Sequence, residues 1–77
     1  MGKAKDTLNI QTPVDIGQAI RAARKRQGLT LAQCAAANGV SMRFLSELER
    51  GKPGASIGAA LKIARSLGLQ LIVEEAS

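Results

Sequence analysis

Apolar residues recur at helical spacing in four runs along the 77-residue chain, and each run is bounded by residues that start or stop helices. In the first, Ile16, Ala19, Ile20 and Ala23 share one side while Arg21, Lys25 and Arg26 take the other. Thr12, ahead of Pro13, or Asp15 is placed to cap it, and Gly28 ends it. The second run has Leu31, Cys34 and Ala35 on its inner side. Thr30 is its N-cap, Gln33 completes a capping box, Leu29 and Cys34 hold the staple positions, and Asn38-Gly39 stops it. The third starts at the cap Ser41 with a Val40–Leu45 staple, buries Leu45 and Leu48, and ends at Gly51. After a loop over residues 52–55, Ser56 caps a fourth helix whose expected inner stripe is Ile57, Ala60, Leu61, Ala64 and Leu67, with Gly68 as its stop.

Two stretches break the helical period. Residues 7–11 alternate apolar and polar, a faint strand signal ahead of Thr12-Pro13, and residues 69–75 are apolar and β-branched but too short for a further helix. The pattern therefore predicts a mainly α, four-helix domain with a short C-terminal β-strand. Residues 1–13 form a basic arm, 14–68 the helical domain, and 69–77 the strand and tail. A lone apolar strand must bond its amides elsewhere. Its expected partner is either residues 8–10 or the same strand of a second chain, with Leu69, Leu71, Ile72 and Val73 as dimerisation residues.

Composition narrows the function. At this length a core is small enough that oligomerisation is a natural source of stability. One Phe and no Tyr or Trp require an aliphatic core, and they weigh against single-stranded RNA reading, which needs stacking aromatics. A single cysteine and no histidine exclude an internal disulfide and a His/Cys metal cage, and leave a cysteine nucleophile without a histidine base. The expectation is no enzyme, no cofactor and no small-molecule substrate. No apolar run is long enough for a bilayer and no signal peptide is apparent, so a cytoplasmic location is expected. The formal net charge of +5 suits a polyanionic partner.

The second and third helices, joined by a short turn containing Gly39, form a helix-turn-helix in which small residues permit close crossing. Ser41, Met42, Arg43, Ser46 and Glu47 lie on the face of the third helix away from Leu45 and Leu48, where such a motif meets base edges in the major groove. Arg43 is the expected guanine reader, and Met42 offers only apolar contact, for instance to a thymine methyl. Arg50 and Lys52, where the chain leaves that helix, are expected at phosphates, together with Thr30 and Gln33 at the start of the second.

The stretch from Gly28-Leu29-Thr30 through Val40-Ser41 to Leu45-Ser46-Glu47-Leu48-Glu49-Arg50-Gly51 resembles the DNA-binding domain of the phage-repressor (XRE) family, which has a lambda-repressor-like fold. With its flanks the chain is most similar to HipB-type antitoxins. The resemblance implies a partly buried ion pair between Arg24 and Glu49, and a C-terminal strand that pairs across a two-fold axis. It also implies a homodimeric, autoregulatory repressor on palindromic double-stranded operator DNA, with a HipA-like kinase toxin as partner. Alternatives are a stand-alone phage-type regulator without a toxin, or a protein-interaction module on this scaffold. The sequence departs from the family pattern at Leu31, where Gln is common, and at Met42, where a polar base reader is usual.

Overall fold

A computed structural model describes residues 9–52, 54 and 56–75. Four helices follow in order: α1 Pro13–Arg26, α2 Leu31–Ala37, α3 Met42–Glu49 and α4 Ile57–Ser66. Thr12 is the N-cap of α1 and Asp15 completes the box. Thr12 Oγ1 accepts the Asp15 amide at 3.2 Å, while Asp15 Oδ2 accepts the amides of Thr12 at 3.0 Å and Gln11 at 2.9 Å. Those amide bonds, the Gln11 one foremost, hold the Asp15 carboxyl below the usual carboxylate range. Thr12 and Asp15 are thus two halves of one device, with Pro13 supplying the preset first helical residue.

Each helix ends in the same way. After α2, the Gly39 amide bonds Ala36 O and the Val40 amide bonds Ala35 O, with Gly39 at φ 68°. This closes the last turn and reverses the chain, and the left-handed angle makes glycine the fitting residue. The same pair of bonds recurs at Gly28, Gly51 and Gly68.

The core is aliphatic: Ile20 and Ala23 of α1, Cys34 and Ala35 of α2, Leu45 and Leu48 of α3, and Ala60, Ile63 and Ala64 of α4 with Leu67 beyond it. α3 packs against both α1 and α2, and α1 also packs against α4. Leu29, Leu31, Val40 and Phe44 are half-buried against this core, so Phe44 is a packing residue. Gly17 lets α1 approach the end of α3: a Cβ there would collide with the carbonyl oxygens of Leu48 and Glu49. Polar bonds complete the seams. Gln27 Nε2 donates to Leu67 O at 2.8 Å, and the buried Asn38 Nδ2 donates to Ser66 Oγ at 3.1 Å, which ties α4 to the ends of α1 and α2. Burial pushes the Cys34 thiol up, as befits a small core hydrophobe.

Two expectations need correction. The inner stripe of α4 is Ala60, Ile63, Ala64 and Leu67, whereas Ile57 is 71% and Leu61 40% exposed. Helix α4 is apolar on more than one side, and what it packs against selects the buried side. The C-terminal strand is also not formed: among the described residues no strand occurs, and residues 69–75 carry no regular structure. Leu69 rests on the core, while Leu71, Ile72 and Val73 are exposed. A strand exists only through bonds to a neighbouring strand, and the described residues offer none. Of the faint strand at residues 7–11, residues 9–11 are not in a strand and the rest lies outside the described residues, as do the arm residues 1–8.

Candidate nucleic-acid interface

Local sequence sets the direction of α3. Ser41 Oγ accepts the Phe44 amide at 2.9 Å and fixes the first turn, so that Leu45 and Leu48 point inward. The opposite side then carries Ser41, Met42 and Arg43, all exposed, with Ser46 and Glu47 half-buried beside them. These are the five residues placed on the reading face by sequence. The Arg43 side chain is 88% exposed.

At the start of α2, Thr30 Oγ1 accepts the Gln33 amide at 3.0 Å and Gln33 Oε1 accepts the Thr30 amide at 2.9 Å. The box uses the Gln33 carbonyl oxygen and leaves its Nε2 as an outward donor. Arg50 caps the C-terminus of α3 and is exposed. The turn at Gly51, φ 79°, then folds Lys52 back beside α3. There its Nζ donates to Glu47 Oε1 at 3.3 Å, while Arg43 Nε donates to Glu47 Oε2 at 3.4 Å. One carboxylate thus holds an arginine of the outward face of α3 and a loop lysine. The Lys52 hydrogen bond first, and then Arg43, hold Glu47 below the usual carboxylate range.

Beneath this face lies the expected ion pair. Arg24 Nε and Nη2 donate to the two carboxylate oxygens of Glu49 at 2.7 and 3.0 Å, and Nη1 donates to Leu29 O at 2.9 Å. Both side chains are buried. The Glu49 hydrogen bond raises the already high basicity of Arg24 against the opposing effect of burial. The fork fixes α1 to the end of α3 and to the residue that enters α2, so it sets where the outward face of α3 sits.

The family resemblance implied the Arg24–Glu49 pair, but the carboxylate shared by Arg43 and Lys52 was missed. The spacing of four between Arg43 and Glu47 was its visible half; the other half depends on the turn at Gly51. Gly17 was missed too, since no local pattern distinguishes a glycine forced by close approach from one merely tolerated.

Two short helices crossing through a glycine turn, with an exposed polar side on the second and two bracing helices, define a helix-turn-helix domain. The helix-turn-helix family model (HTH_3) matches residues 20–72, and the chain belongs to that family. It is 44% identical over 62 residues to the uncharacterized HTH-type transcriptional regulator y4mF of Sinorhizobium fredii (strain NBRC 101917 / NGR234), a match spanning 80% of this chain and 82% of that one. To the uncharacterized HTH-type transcriptional regulator y4dL of the same organism it is 31% identical over 58 residues, 75% of this chain but 30% of that protein. Both relatives are described as transcriptional regulators. The fold matches a complex of a singly substituted HipB with an O2 20mer, with TM-score 0.82 and 24% identity, covering 94% of this chain and all of that one. A HipA–HipB–O2–O3 complex matches with TM-score 0.80 and 21% identity over 92% of this chain and all of that one. No helix among the described residues is long and apolar enough to cross a membrane.

Proposed function

We propose that the chain is a sequence-specific double-stranded DNA-binding transcriptional repressor that lays α3 in the major groove as a homodimer on a palindromic operator. The observation that carries this reading is the outward face of α3, where Arg43 stands almost fully exposed on a helix pinned from behind by Leu45, Leu48 and the Arg24–Glu49 fork. A rigidly held helix with an exposed guanidinium at its first turn suits a bidentate contact to guanine O6 and N7. Ser41, Met42, Ser46 and Glu47 complete the base-facing set. Thr30, Gln33, Arg50 and Lys52 flank it at backbone height and supply affinity without sequence choice. Leu69, Leu71, Ile72 and Val73 form the dimer contact, since the exposed side chains of Leu71, Ile72 and Val73 give an apolar segment that a second copy of it can meet.

The narrower reading is an autoregulatory antitoxin of a HipA-like kinase toxin. Its support is the likeness of fold to HipB, a protein solved in complex with HipA. A kinase-like reading frame beside this gene would favour that role, and its absence would favour a stand-alone regulator. The DNA reading is tested by binding-site selection with Arg43→Ala, which should relax preference at one base pair per half-site, a loss of about 1–3 kcal/mol of discrimination. An unchanged selected motif would contradict the assignment.

A further inference from the structure

The chain leaves α4 through the Gly68 turn, and the two sides of that turn line one open groove: Leu61 and Arg65 from α4, with Leu69, Gln70, Leu71 and Ile72 from the segment beyond it. Leu61, Arg65, Leu71 and Ile72 are exposed along it. Ile57, also exposed on α4, belongs to a separate recess beside Ile10 and Pro13. Past the groove, Val73 is 97% exposed and is followed by the exposed Glu74 and Glu75. Among the described residues neither carboxylate pairs with Arg65 or with any other cation. A groove carrying one cation and a segment ending in two acids are complementary, yet within one chain they do not meet. Resting on the dimer contact proposed above, we propose that residues 71–75 of a second copy complete this groove. They lie antiparallel in a register centred on Ile72, and Arg65 of each protomer pairs with the partner's Glu75.

The register follows from which side chains share a face. In a paired strand the period of two puts Leu69, Leu71, Val73 and Glu75 on one face, and Gln70, Ile72 and Glu74 on the other. Leu69 rests on the core, so the first face is the one turned toward the helices. Residues directly opposite each other in an antiparallel pair lie on the same face. With Ile72 opposite its own copy, Leu71 meets the partner's Val73, apolar against apolar. The partner's Glu75 then arrives opposite Leu69, in the groove that Leu69 shares with Arg65. Centring the pair on Leu71 would instead set the partner's Glu75 against the buried Leu67, and centring it on Val73 would set it against Leu71. Either shift places a carboxylate on an apolar neighbour, and a slip by a single residue would turn the inward face outward. The register centred on Ile72 gives every inward side chain a suitable partner, and the two-fold axis makes each contact twice.

The test is charge reversal in the full chain, read by sedimentation and native mass spectrometry. Arg65→Glu and Glu75→Arg should each weaken the homodimer by about tenfold, because the two-fold axis turns two attractions into two repulsions. An equimolar mixture of the two variants should form the mixed dimer in preference to either homodimer, since both of its contacts are attractive again. Both reversals in one chain should recover wild-type dimerisation. Glu74→Arg, on the outer face, should leave the homodimer near wild type and give no preference for a mixed dimer with Arg65→Glu. Mixed dimers at no more than the statistical share, or equal effects of Glu74→Arg and Glu75→Arg, would overturn the pairing while leaving the dimer contact itself in place. A wild-type chain that sediments as a monomer would overturn both.

Discussion

Arg24 and Glu49 show what one residue pair contributes. Their fork is bidentate and buried, and its third donor closes on Leu29 O, so no charge on either side chain is left without a partner. Removing one partner strands the other: Arg24→Met or Glu49→Gln alone should cost about 3–5 kcal/mol in urea unfolding, and the double variant clearly less than the sum. Strictly additive costs would mean that the pair is no more than two surface charges. Arg50 and Lys52 are the opposite case, exposed cations proposed to contact phosphates. Alanine at either should weaken all duplexes alike and make the salt slope shallower by about one unit. A sequence-selective loss with an unchanged slope would refute that role. The caps were legible in the sequence because they are local: Thr30 with Gln33, and Ser41, form the bonds their spacing announces. The Lys52 contact was not legible, because it depends on the direction in which Gly51 turns the chain.

Among the elements, α1, α2 and α3 could be read because each carries one apolar side and one polar side. Helix α4 could be read in its bounds and in Ala60, Ala64 and Leu67, but not in the rest of its buried side, since Ile57 and Leu61 compete with Ile63 for the inner face and periodicity alone does not rank them. Its orientation is settled by tertiary bonds from Gln27 and Asn38 to its C-terminal end. Ile63→Ala should therefore cost about 2–5 kcal/mol as a cavity in the core, whereas Ile57→Ala should change stability by no more than about 0.5 kcal/mol. Equal losses in thermal unfolding of the two variants would contradict the packing. The C-terminal segment is a different failure of local reading. β-branched residues announced a strand, but pairing is a property of two strands, and no second strand lies among the described residues.

At the scale of the whole molecule, the four helices form a small core that presents one outward helix α3, and on the proposed reading a single α3 would meet only half a palindrome. A two-fold contact through residues 69–75 would satisfy the exposed backbone of both copies and fix two α3 helices about 34 Å apart, the spacing of successive major grooves on one face of the duplex. Recognition of a full operator then depends on that coupling of segment to groove spacing. The decisive measurement is selection from random duplexes by the full chain and by a chain ending at Gly68, with sedimentation of both. The full chain should sediment as a dimer and enrich inverted half-sites centred about one helical turn apart. The shortened chain should stay folded, sediment as a monomer and enrich at most a single half-site with far weaker binding. A full chain that enriches no sequence, or a shortened chain that still dimerises and selects the complete palindrome, would contradict the account.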